Sequence, residues 1–107
     1  MTENAPIKLI IVDDHPIVRE GMKSLVAGTQ DMTIVAETAS GIEAIRFARQ
    51  MPFSVMLLDI TLNDKNGIEV LKQIKTEKPD ANILIFSMHR EDQYAIRALK
   101  AGASGYL

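Results

Sequence analysis

Cysteine is absent from the 107 residues, which excludes a disulfide framework and any thiolate-ligated metal centre and fits a reducing compartment. Long apolar runs are also lacking: none approaches the roughly 18 to 20 residues that a bilayer-spanning helix needs. The opening Met1-Thr2-Glu3-Asn4-Ala5-Pro6 has neither the charged nor the apolar region of a signal peptide. Membrane insertion and secretion are therefore not indicated, and the cytoplasm is the expected location. Excess positive charge is missing too. Twelve Lys and Arg stand against fourteen Asp and Glu, for a formal net charge of -2, and no local cationic run offers a footprint for a phosphate backbone. DNA binding by this chain alone is not expected. There is no low-complexity tract, and hydrophobic residues at 47% with charged residues at 24% are ordinary globular usage, so the chain reads as one folded domain with a core.

Leu9-Ile10-Ile11-Val12, Val55-Met56-Leu57-Leu58 and Ile83-Leu84-Ile85-Phe86 are nearly continuous apolar runs, as parallel strands covered on both faces require. Thr33-Ile34-Val35-Ala36-Glu37 is β-branched but mixed and suits a strand nearer the sheet edge. Helical patterns lie between them. Pro16 fits a first turn before Val18, Met22, Leu25 and Val26, with Gly28 at the C-cap. Ser40 with Glu43 has the form of a capping box ahead of Ile45 and Ala48, and Pro52 marks the stop. Asn66 with Glu69 repeats the device before Val70, Leu71 and Ile74, closed by Pro79, and Ala95, Ile96 and Leu99 precede Gly102. Uninterrupted alternation of strand and helix implies right-handed crossovers and a doubly wound α/β fold with a parallel sheet. Residues 104–107 would begin a fifth strand.

In such sheets, ligands bind beyond the carboxyl ends of the strands. The first run ends in Asp13-Asp14, the third in Asp59 and the fourth in Ser87, so three carboxylates and a hydroxyl converge on one edge. Each has a bland explanation taken singly: acidic residues cap helices, and Ser forms turns. Together they point to a hard divalent cation, because clustered carboxylates either protonate or recruit a positive charge. Magnesium, with its preference for oxygen ligands, is the ion expected. His15 and His89 lie in different loops without a third ligand at fixed spacing, and read as surface or helix-start residues.

Ile11-Val12-Asp13-Asp14-His15-Pro16, Leu57-Leu58-Asp59, Ser87 and Ala101-Gly102-Ala103-Ser104-Gly105-Tyr106-Leu107 together resemble the receiver domains of two-component response regulators, in order and in spacing. The stretch Asp13-Asp14-His15-Pro16-Ile17-Val18-Arg19-Glu20-Gly21 is similar to the NarL/FixJ type, whose receivers precede a helix-turn-helix DNA-binding domain. The resemblance implies a flavodoxin-like receiver fold with strand order 2-1-3-4-5, residues 1–6 forming a tail and 7–107 the domain. It implies that Asp59 accepts a phosphoryl group from a histidine kinase in a phosphorelay, assisting its own phosphorylation without being a conventional enzyme. Asp13, Asp14 and Asp59 would hold magnesium with the main-chain carbonyl of Thr61. Ser87 would be the switch hydroxyl and Tyr106 the switch aromatic, and DNA would be reached only through a C-terminal output domain that regulates transcription.

Two departures accompany the resemblance. Asn63 stands where the family usually has Pro, although Gly67 still matches, and the family's phosphoryl-contacting Lys would fall beyond Leu107. The fifth strand and fifth helix are therefore expected to be cut short, with helix one left uncovered and self-association favoured. Two other classes fit less well. A haloacid-dehalogenase-like phosphatase needs an acid where Thr61 stands, and a flavodoxin-like cofactor binder needs a Ser-, Thr- or Gly-rich first loop where Asp13-Asp14 would repel a phosphate. A receiver-like module that only binds partners is the third alternative.

Overall fold

The apolar runs become the strands of one five-stranded parallel sheet. A computed structural model describes residues 6–86 and 92–106, with side chains omitted for 92–95 and 106. The order of elements is β1 (Ile7–Val12), α1 (Pro16–Ala27), β2 (Met32–Thr38), α2 (Gly41–Gln50), β3 (Val55–Asp59), α3 (Gly67–Glu77), β4 (Ile83–Phe86), α4 (Asp92–Lys100) and β5 (Gly105–Tyr106). Strand order is β2-β1-β3-β4-β5. The mixed second run lies at an edge, and the three continuous runs fill the centre. No described helix is long and apolar enough to cross a membrane.

The strand periodicity of two sends Ile10, Val12, Met56 and Leu58 to one face, where they pack with Ile45, Leu71 and Ile74 of α2 and α3. All of these are buried, and fully burying one such side chain stabilises the fold by about 1.5–3 kcal/mol. Leu9 and Ile11, also buried, point to the opposite face. The apolar spacing of α1 does not translate into deep burial: no α1 residue is fully buried, and Ile17 and Leu25 are 83% and 76% exposed.

Helix boundaries follow the sequence signals, with corrections in how three caps work. The Ser40 hydroxyl accepts the Glu43 N–H at 3.1 Å, but the reciprocal half of a capping box is replaced. The Ser40 N–H donates to Thr38 Oγ1, and Glu43 pairs instead with Arg46. Asn66 Oδ1 accepts from Ile68 N–H at 2.8 Å, one residue earlier than the pattern suggests, while Glu69 lies 3.8 Å from Lys72. Gly28 caps α1 at φ -81° and so does not use the left-handed conformation usual for a C-terminal glycine.

Register makes the carboxyl ends level. Val12 is opposite Leu58, Asp59 opposite Phe86 and Ile85 opposite Tyr106. The chain leaves β1 and β3 side by side, so residues 13 to 15 and 59 to 61 emerge over the same edge.

Candidate functional site

Asp13 follows the buried end of β1 and is itself 1% exposed. Its main chain is held from two sides. The Asp13 N–H donates to the Thr38 carbonyl at 3.0 Å, and Arg19 Nη1 donates to the Asp13 carbonyl at 2.6 Å. Arg19 is oriented in turn by Glu37, 3.2 Å from its Nε. Asp59, the last residue of β3, is 4% exposed, and its Oδ1 accepts the Thr61 N–H at 3.1 Å. Both carboxylates are therefore presented by well-packed strands rather than by free loops.

His15 completes the cluster. Asp13 Oδ1 accepts the His15 backbone N–H at 2.7 Å and faces its Nδ1 at 2.8 Å. The same ring nitrogen lies 3.0 Å from Asp14 Oδ1 and 3.8 Å from Asp59 Oδ2. One donor atom from each of Asp13, Asp14, His15 and Asp59 lies within 4.8 Å of all the others. A protonated Nδ1 carries a single hydrogen, which the shorter distance assigns to Asp13, and the buried Asp14 Oδ1 has no hydrogen-bond partner among the described residues.

The electrostatics follow from that crowding. Burial pushes the Asp59 carboxyl above its ordinary range, reinforced by the charges of Asp13 and Asp14, while the Thr61 N–H and His15 act in the opposite direction. The hydrogen bond to Asp13 raises the His15 imidazole, aided by the three neighbouring carboxylate charges. Three carboxylates at hard-ligand spacing, one carrying an orphaned buried oxygen, fit a divalent cation: the unmet acceptor capacity is what an ion would satisfy.

The loop after Asp59 is tied down on both flanks. Thr61 bridges to Asn66, and the Gly67 N–H donates to the Ile60 carbonyl at 2.8 Å. A Cβ at Gly67 would collide with the Asp59 carbonyl oxygen and approach Ile60 Cα to 2.6 Å, so α3 begins against the main chain of the acidic residue. On the other flank, Asp64 accepts from the Ser40 hydroxyl at 2.6 Å and from the Gly41 N–H at 2.9 Å.

A family model described as the response regulator receiver domain matches residues 9–107. The chain belongs to that family. Curated relatives of this receiver include the nitrate/nitrite response regulator protein NarL of Escherichia coli K12, 33% identical over 107 residues, covering all of this chain and 50% of the relative. The transcriptional regulatory protein YdfI of Bacillus subtilis is 40% identical over 100 residues, covering 94% of this chain and 46% of YdfI. The receiver thus spans about half the length of these relatives. Among solved structures, a LuxR-family two-component response regulator from Aurantimonas aligns with a TM-score of 0.89 at 40% identity, over 95% of this chain and 73% of that one. The signal receiver domain of NarL from Mycobacterium tuberculosis aligns at 0.90 and 26% identity, over 96% and 83%.

Of the residues the sequence singles out in this receiver, Asp13, Asp14, Asp59 and Thr61 are brought together. Ser87 and His89 lie outside the described residues, and Tyr106 is described only by its main chain, paired with Ile85 in the β4–β5 ladder. His15 is the surface helix-start residue the sequence suggests, with its side chain 54% exposed. It occupies the N-cap position of α1, but its side chain makes no cap hydrogen bond and faces the carboxylates instead. The signal for this was present in Pro16, which restricts the preceding residue to extended backbone. His15 accordingly sits at φ -100°, ψ 109°. Asp64 is a residue sequence reasoning missed, because its partners are more than twenty positions away.

Proposed function

We propose that this receiver accepts a phosphoryl group on Asp59 with magnesium held by Asp13, Asp14, the Asp59 carboxylate and the main-chain carbonyl of Thr61. The observation that carries the reading is the meeting of three buried or nearly buried carboxylates at the ends of β1 and β3, with Asp14 Oδ1 unpartnered among the described residues. An Asp59 oxygen forms the new bond to phosphorus as the P–N bond of a kinase phosphohistidine breaks, and the imidazole departs with the electron pair and takes up a proton. A bound magnesium ion would supply the positive charge that offsets the phosphoryl oxygens and the acidic cluster. Asp13 and Asp14 act through their charge. Thr61 steers Asp59 by donating its N–H to Oδ1, and Arg19 and Thr38 fix the Asp13 main chain.

The same proposal makes the domain one component of a two-component phosphorelay: a phosphoprotein, not a conventional enzyme, working in the cytoplasm with a histidine kinase. Ser87 and Tyr106 would report the aspartyl phosphate to an output domain outside this chain that binds DNA and regulates transcription. Relatives named as a nitrate/nitrite response regulator and as a transcriptional regulatory protein support that role. Self-association through the exposed Ile17 and Leu25 of α1 belongs to the same reading.

Calorimetric titration with magnesium tests the site. Saturable binding that is lost in Asp13→Asn and in Asp59→Asn supports it, and magnesium heats indistinguishable among the three proteins overturn it.

A further inference from the structure

We propose that His15 is a further protein ligand of the cation site, adding an imidazole nitrogen to the three carboxylates and the Thr61 carbonyl and extending its range from magnesium to nitrogen-accepting divalent ions such as Zn2+. This rests on the reading of the acidic cluster as a cation site and adds a residue that acidity alone would not supply.

The spacing supports it. Around an ion with ligand bonds of about 2.1 Å, neighbouring donor atoms lie about 3.0 Å apart and opposed ones about 4.2 Å. His15 Nδ1 is 2.8 Å from Asp13 Oδ1, 3.0 Å from Asp14 Oδ1 and 3.8 Å from Asp59 Oδ2. Those three separations fall in the range that donor atoms of one coordination sphere span.

The backbone also holds the ring where it is. Pro16 confines His15 to extended conformation, and Arg19 Nη1 grips the Asp13 carbonyl two residues before it in the chain. Since the His15 side chain does not cap α1, there is no cap hydrogen bond that a ligand role would sacrifice. With an ion present, the ring hydrogen resides on Nε2 and Nδ1 offers its lone pair. The hydrogen bond to Asp13 is replaced by a shared metal, and Asp14 Oδ1 gains the partner it lacks among the described residues.

Ligand softness sets the expected selectivity. Magnesium favours oxygen ligands and gains little from an imidazole, whereas zinc binds imidazole readily. Replacing His15 should therefore separate the two ions. The suitable variant is His15→Asn, because Asn is a strong N-cap residue and the start of α1 is preserved.

Calorimetry of the wild-type and His15→Asn chains with Mg2+ and with Zn2+, paired with 15N imidazole spectra, tests the proposal. The expected result is a loss of Zn2+ affinity of about tenfold or more in His15→Asn, with Mg2+ affinity changed by less than about twofold. The Nδ1 resonance of His15, assigned by its disappearance in the variant, should move on Zn2+ addition. Unchanged Zn2+ affinity, or an unmoved Nδ1 resonance while Mg2+ still binds, overturns the ligand role and leaves the magnesium site standing. Tighter Mg2+ binding in His15→Asn also overturns it, by showing that the ring stands in the ion's place. If the wild-type chain binds neither ion, the cation site itself fails.

Discussion

The Asp64 carboxylate accepts the Ser40 hydroxyl at 2.6 Å, joining the loop that leaves Asp59 to the N-terminus of α2. Its other oxygen accepts the Gly41 N–H, so one carboxylate caps a helix that begins more than twenty residues earlier in the chain. Ser40 meanwhile accepts from Glu43 N–H, making the cap a relay from loop to helix.

Removing that tie should cost modest stability with a defined pH dependence. The Ser40 hydroxyl and the Gly41 N–H hold the Asp64 carboxyl below its ordinary range. The stabilisation is therefore present above the unfolded carboxylate range and is lost as pH falls through the depressed folded value. In urea denaturation at neutral pH, Asp64→Ala should be less stable by about 0.5–1 kcal/mol, the lower end of a cap because the group is exposed to solvent. The difference should shrink in acid.

Gly67→Ala should be more damaging than its size suggests. The added methyl would meet the main chain of Asp59 and Ile60, which cannot swing aside as a flexible side chain can. A loss of about 1–3 kcal/mol is expected, together with weaker cation binding as the Asp59 loop is displaced. Chemical denaturation and magnesium calorimetry on the same variant measure both effects.

Asp59→Asn should stabilise the metal-free chain at neutral pH. Burial and the Asp13 and Asp14 charges raise the folded-state value of Asp59, so its favourable contribution is present below the unfolded carboxylate range and disappears as pH rises through the folded value. Above that point the buried charge is a liability that Asn lacks, while Asn keeps an oxygen for the Thr61 N–H. A gain on the order of 1 kcal/mol, several degrees in Tm, is expected in thermal melts and should vanish in acid. Excess magnesium should raise the wild-type Tm and leave the variant unmoved.

The exposed α1 residues make a fourth expectation measurable by light scattering. The average mass should rise with concentration for the wild-type chain and less so for a paired Ile17→Ser, Leu25→Ser variant. A concentration-independent monomer in both would exclude α1 as a contact face.

The central strands were legible because burial on both faces leaves runs such as Leu9 to Val12 and Ile83 to Phe86 almost without polar residues. Parallel register then makes the ends of β1 and β3 level, so Asp13, Asp14 and Asp59 could be grouped from position alone. Ser40 and Asn66 declared their helices through local chemistry. The partners of Glu43, by contrast, depended on competition: Arg46 on the next turn captures its carboxylate, and Thr38 Oγ1 accepts the Ser40 N–H instead. Tertiary contacts such as Asp64 to Ser40 leave no spacing signature. His15 is the solvent-facing helix start its position suggests, but the nearness of its ring to the carboxylates left no spacing signal. Only the extended backbone before Pro16, combined with the geometry of the Asp13 turn, carries its ring to the carboxylates.

The central claim is tested most directly by intact mass after incubation of the chain with a small phosphodonor and magnesium, followed by peptide mapping. The account predicts a single phosphoryl gain located on Asp59, absent without magnesium and absent in Asp59→Asn. A gain that persists in Asp59→Asn, or no gain in wild-type chain shown to have magnesium bound, would contradict it.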